Sequence, residues 1–137
     1  VTDRIVICGG PLVGKTTLAD STGLPAYCGD PRSIARNPQP DVTYVPEGLT
    51  WSGASTYVVD NWLGEPGPWV AEGIVMVRAL RKWIATTDAK PCDEVWWIVP
   101  RPGAVLTPAQ RALQRGVETI WAGIRNHLGV PILVRPA

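Results

Sequence analysis

The chain has 137 residues and a mass of 14.8 kDa, the size of one ordinary domain, so residues 1–137 are expected to fold around one core without disulfides or metal. Hydrophobic residues at 45% and charged residues at 18% exclude a disordered tail protein. The formal net charge of +1 gives no general electrostatic case for nucleic acid or an anionic membrane. No apolar run approaches the roughly 20 residues of a membrane span. The N-terminal stretch lacks the charged, apolar and small-residue succession of a signal peptide. Three cysteines without CxxC spacing argue against a disulfide framework or zinc site and for a reducing, cytoplasmic setting.

In chain order, Ile5-Val6-Ile7-Cys8 is a short β-branched apolar run that predicts a buried strand ending at Gly9-Gly10. A short helix follows from Lys15 to about Thr22, stopped by Gly23. Residues 25–28 form a second strand, closed by Gly29-Asp30-Pro31. Residues 31–50, rich in Pro, Asn and Arg, read mainly as loop, with a short extended piece at Tyr44-Val45. Trp51, Ala54, Val58 and Trp62 recur at helical spacing and predict a helix over about 52–63. Trp69-Val70-Ala71-Glu72 is a third strand, and 75–86 a helix with Val77, Leu80 and Ile84 on one face. Residues 94–99 form a fourth strand, in which the alternating Trp96 and Trp97 cover both faces. Thr107 as N-cap and Pro108 at the first turn open a helix whose apolar stripe is Leu113, Val117, Ile120, Ile124 and Leu128. Ile132-Leu133-Val134 is the last strand. Alternating strands and helices imply an α/β fold with a mostly parallel sheet covered on both faces.

Gly9-Gly10-Pro11-Leu12-Val13-Gly14-Lys15-Thr16 matches G-x-x-x-x-G-K-[ST], between a strand and a helix as that motif requires. Gly9 and Gly14 let the backbone curl so that its N–H groups point at phosphate oxygens. Lys15 reaches the β- and γ-phosphates, and the Thr16 hydroxyl is a hard ligand for Mg²⁺. The expected nucleotide-binding set is Gly9 to Thr16 together with Thr17.

On these residues the chain resembles a P-loop NTPase, and more narrowly the small P-loop kinases of nucleosides, nucleotides and polynucleotide ends. The resemblance runs through the element order and is specific around residues 5–17, 28–32, 69–78 and 101–115. It implies a three-layer fold, a five-stranded sheet of order 2-3-1-4-5, and a short lid-like segment near 100–115.

Asp30 ends the second strand, at the carboxyl edge where open parallel sheets bind ligands. There it reads either as the general base for a hydroxyl acceptor or as part of a Gly-Asp-Pro turn. Glu72 ends the third strand and is expected beside the Mg²⁺ or the acceptor; Asp60 is its competitor. Arg32 and Arg78 are expected on the acceptor, and Arg101 on the transferring phosphoryl, as the lid of the resembling kinases implies. Arg111 and Arg115 are read as a solvated face or as lid residues. His127 near a helix C-terminus needs no function. Trp51 and Trp62 border the acceptor side and read as core or as base-stacking residues.

The expected activity is an ATP-dependent, Mg²⁺-dependent phosphotransfer to a nucleoside, a nucleotide or a polynucleotide 5′-hydroxyl end. The alternative is a stand-alone ATPase or a nucleotide-binding partner of a larger assembly. An N/T-K-x-D guanine signature is absent, which disfavours a regulatory GTPase.

Overall fold

The computed structural model describes residues 3–11, 13–36 and 38–137. The elements are β1 (Arg4–Cys8), α1 (Lys15–Ser21), β2 (Ala26–Cys28), α2 (Ser33–Arg36), β3 (Val42–Tyr44) and α3 (Trp51–Asn61). They continue with β4 (Trp69–Glu72), α4 (Met76–Thr86), β5 (Glu94–Val99), α5 (Pro108–Ile124), a 3₁₀ turn (Arg125–His127) and β6 (Ile132–Pro136). The strands form one sheet of order β3-β2-β4-β1-β5-β6, with every pair parallel.

Alternation along each strand divides the core in two. Ile5, Ile7, Val70, Trp96 and Ile98 face α1, where Ala19 and Val13 meet them. Val6, Cys8, Ala71, Val95 and Trp97 face the opposite layer, built from α3, α4 and α5. Trp97 stacks on Trp121 of α5 with ring centroids 4.7 Å apart, an offset the ring quadrupoles favour. Thr107 starts α5 as expected: its hydroxyl accepts from the Gln110 amide, and the Gln110 side chain accepts from Thr107 N–H. All three cysteines are buried and free. Among the described residues no helix is long and apolar enough to cross a membrane.

Two expectations are corrected. The sheet has six strands where five were expected, because Val42–Tyr44 pairs with β2 at the edge. Without it, the order β2-β4-β1-β5-β6 is the one the resemblance implied. The 31–50 segment is mainly loop, as expected, and its extended piece is β3; it also holds the four-residue α2, and both elements are too short to set up a readable period among Pro and Asn. Helix α5 is rotated about its axis relative to the expected stripe. Its buried residues are Gln114, Val117, Trp121 and Ile124, while Leu113 and Ile120 are only half-buried.

Candidate functional site

At the carboxyl end of β1 the chain curls through Gly9–Gly14 into α1. Gly14 has φ +83°, a left-handed conformation that disfavours any side chain. Gly10 is hemmed in: a Cβ there would lie 1.6 Å from Gln114 Oε1. Lys15 is 8% exposed, and its ammonium donates to the Gly10 carbonyl, which ties the loop to the first helical turn. Burial pushes the Lys15 pKa down, while the negative charges of Glu72 and Asp30 pull it back.

The Thr16 hydroxyl donates to Glu72 Oε1 over 3.2 Å. Glu72 is 4% exposed at the end of β4, and Gly29 N–H donates to its backbone carbonyl over 2.8 Å. Burial raises the Glu72 pKa; the Cys28 thiol, the Lys15 charge and Thr16 work against that rise. Asp60, the competing acid, is exposed on α3. The geometry therefore brings Glu72, and not Asp60, to the loop.

Lys15, Thr16 and Glu72 share a cavity of about 310 Å³ with Pro11, Cys28, Asp30, Arg32 and Arg36. Asp30 Oδ1 accepts from Arg32 N–H at 2.8 Å and lies 3.7 Å from Arg32 Nε. Asp30 thus forms the turn and also lines the cavity. The Arg32 guanidinium lies 4.8 Å over the Trp51 ring, a cation–π contact. A second cavity of about 440 Å³ holds Arg32, Trp51 and Arg78 and shares Arg32, Ile74, Ala109 and Leu113 with the first. Helix α5 forms one wall of both.

Other expected residues lie elsewhere. Arg101 is exposed and donates through Nε to the Ala137 carbonyl at 3.3 Å, because β6 runs beside the end of β5. It lines neither cavity. Arg111 donates to the Leu106 carbonyl, and Arg115 is exposed. Trp62 is core, stacked on Tyr27 at 5.0 Å. Val13 is buried beneath the loop, and Thr17 is exposed outside the cavity lining. Leu12 lies outside the described residues. His127 is exposed in the 3₁₀ turn.

Sequence reasoning passed over Cys28, Arg36 and Gln114. Gln114 had a signal: it stands one turn before Val117–Leu128 on an otherwise apolar seam. Chemically the cavity sets three cations, Lys15, Arg32 and Arg36, against two carboxylates, Asp30 and Glu72. That set suits a polyanion held by the cations, with the carboxylates left for a metal ion or a proton. Thr16 and Glu72 place two hard oxygens side by side, which fits Mg²⁺ bound jointly with phosphate. Among the described residues no group of three His, Cys, Asp or Glu is gathered to hold a metal alone. No family model, curated protein or solved structure matches the chain.

Proposed function

We propose that the chain is a P-loop phosphotransferase that moves the γ-phosphoryl of ATP to a nucleoside, a nucleotide or a polynucleotide 5′-hydroxyl end. One observation carries the reading: the cavity that holds Lys15 and Thr16 also holds Asp30 and Arg32, and opens beside the Arg32–Trp51–Arg78 cavity. Residues for a phosphoryl donor and for an acceptor therefore face one space, and proximity is the main source of rate in phosphoryl transfer.

Bound ATP supplies the transferable group, and Mg²⁺ draws charge from it. Lys15 turns its ammonium donors to phosphate oxygens. Thr16 and Glu72 hold the ion or its water. Asp30 takes the proton of an acceptor hydroxyl. Arg32, Arg36 and Arg78 hold acceptor phosphate, and the Trp51 ring offers a planar surface to a base.

The test is transfer of labelled γ-phosphate with Mg²⁺ to a panel of nucleosides, nucleoside monophosphates and 5′-hydroxyl oligonucleotides. Label should appear on one acceptor class, vanish in Lys15→Ala, and fall about 10²–10⁴-fold in Asp30→Ala with ATP binding intact. Free phosphate with no labelled acceptor would sink the transferase. It would favour the ATPase reading.

A further inference from the structure

Gln114 is 7% exposed, and neither its Oε1 nor its Nε2 has a hydrogen-bond partner among the described residues. Buried carboxamides are almost always paired, because the unfolded chain pairs them with water. The position also favours an apolar side chain: Val117, Trp121 and Ile124 continue the same buried seam of α5. A methionine or leucine would serve packing better. The carboxamide lies on the Cα of Gly10, since a Cβ there would meet Oε1 at 1.6 Å, Cδ at 2.6 Å and Nε2 at 3.3 Å. The carbonyl bonded to that Cα is the one Lys15 holds.

These facts belong together. The Lys15 ammonium has three donors, and as it swings towards phosphate its hold on the buried Gly10 carbonyl is shared or released. A buried carbonyl stripped of its donor is costly. Gln114 carries an amide donor beside the same residue, and turning its last torsion exchanges Oε1 for Nε2 without moving the helix. We propose that Gln114 is a positioning residue that takes over the Gly10 carbonyl when Lys15 turns to phosphate, and so couples α5 to the occupancy of the loop. The inference rests on the nucleotide-binding reading above. Without ligand the carboxamide is unpaired among the described residues, which is unfavourable; in the filled site it would be paired. Its removal should therefore act with opposite signs on the two states, which simple packing would not do.

The test compares the wild type with Gln114→Met, which keeps the unbranched length and loses the hydrogen bonds, and with Gln114→Leu as a second variant. The thermal midpoint without ligand and the calorimetric Kd for Mg-ATP and for inorganic triphosphate are measured. The midpoint should rise, while both Kd values weaken about tenfold, as one lost buried hydrogen bond implies. A lower midpoint with both Kd values within about twofold of wild type would overturn the proposal and leave Gln114 a packing residue. Weaker ATP binding with unchanged triphosphate binding would also overturn it, by moving the contact to the nucleoside. Absence of wild-type binding would instead overturn the nucleotide reading, and this inference with it. Wild-type binding that is lost in Lys15→Ala locates the site at the loop, so the Gln114 variants then judge Gln114 alone.

Discussion

Gly10→Ala probes the seam between the glycine-rich loop and α5. The new methyl would fall 1.6 Å from Gln114 Oε1 and 2.6 Å from Cδ. Ordinary contact needs well over 3 Å, so the carboxamide must retreat by roughly 1.5 Å. The clashing atoms end a flexible side chain, but that side chain is itself buried, with little room to yield. Overpacking of this kind costs about 1–3 kcal/mol. Gly10 is not among the positive-φ glycines, so the alanine also recovers about 0.4–1 kcal/mol through the unfolded chain. A net loss of about 1–2 kcal/mol remains, a fall in thermal midpoint of roughly 4–8 °C for a domain of this size. Urea unfolding of Gly10→Ala, Gln114→Ala and the double variant measures it directly. Truncating Gln114 makes room for the methyl, so the double variant should lose at least about 1 kcal/mol less than the sum of the singles. Strict additivity, or a Gly10→Ala variant as stable as wild type, would refute the close packing of Gln114 on the loop.

Thr107→Ala removes half of the capping box that starts α5 and should lower stability by about 1 kcal/mol in the same unfolding assay. Lys15→Met should abolish ATP binding and lower the unliganded midpoint, because it strips the buried Gly10 carbonyl of its donor and leaves buried Glu72 without its counter-charge. With the Lys15 pKa lowered from 10.5, the stability linked to its neutral form is present above that value and lost as pH falls through the folded one. The deficit of Met relative to wild type should therefore grow towards alkaline pH. Glu72 behaves in the opposite sense. Its raised pKa contributes stability that is present below the ordinary 4.5 and lost as pH rises through the folded value. Urea unfolding from pH 4 upwards, at about one-unit steps, should show that decline in wild type and a flatter profile in Glu72→Gln; parallel profiles would count against a buried, proton-binding Glu72. Asp93 does not confuse the comparison: its bonds to Arg4 hold its carboxyl well below the usual range, so its stability is lost only as pH falls further.

Local chemistry made much of the fold legible. The runs at Ile5–Cys8 and at 94–99 are short, β-branched or aromatic, and bounded by Gly or Pro, so few other conformations suit them. Thr107-Pro108 starts a helix because cap and first turn are satisfied within a few residues. The glycine-rich loop is visible because Gly14 must adopt a left-handed conformation that only glycine takes at little cost, beside a lysine and a threonine whose order is chemically specific.

What stayed hidden depends on neighbours distant in sequence. A helical stripe can be drawn in two adjacent phases roughly 100° apart, and α5 shows the consequence. Leu113 and Ile120 continue the stripe by composition, yet Gln114 and Trp121 are the residues turned inward. The phase is set by the surface beneath, where Trp97 receives Trp121 and Gly10 receives Gln114. Likewise β3 exists because β2 offers an open edge to a three-residue segment with no period of its own. Arg101 is placed after β5 by sequence, but the adjoining β6 turns it to the Ala137 carbonyl and away from the cavity. The sequence by itself determined the alternation of the main strands and helices and the place of the glycine-rich loop between β1 and α1, because turns, caps and β-branching act within a few residues. Tertiary structure alone decided the phase of α5, the edge strand and the turning of Arg101 to the Ala137 carbonyl, because each depends on shape and hydrogen-bond partners supplied by other elements.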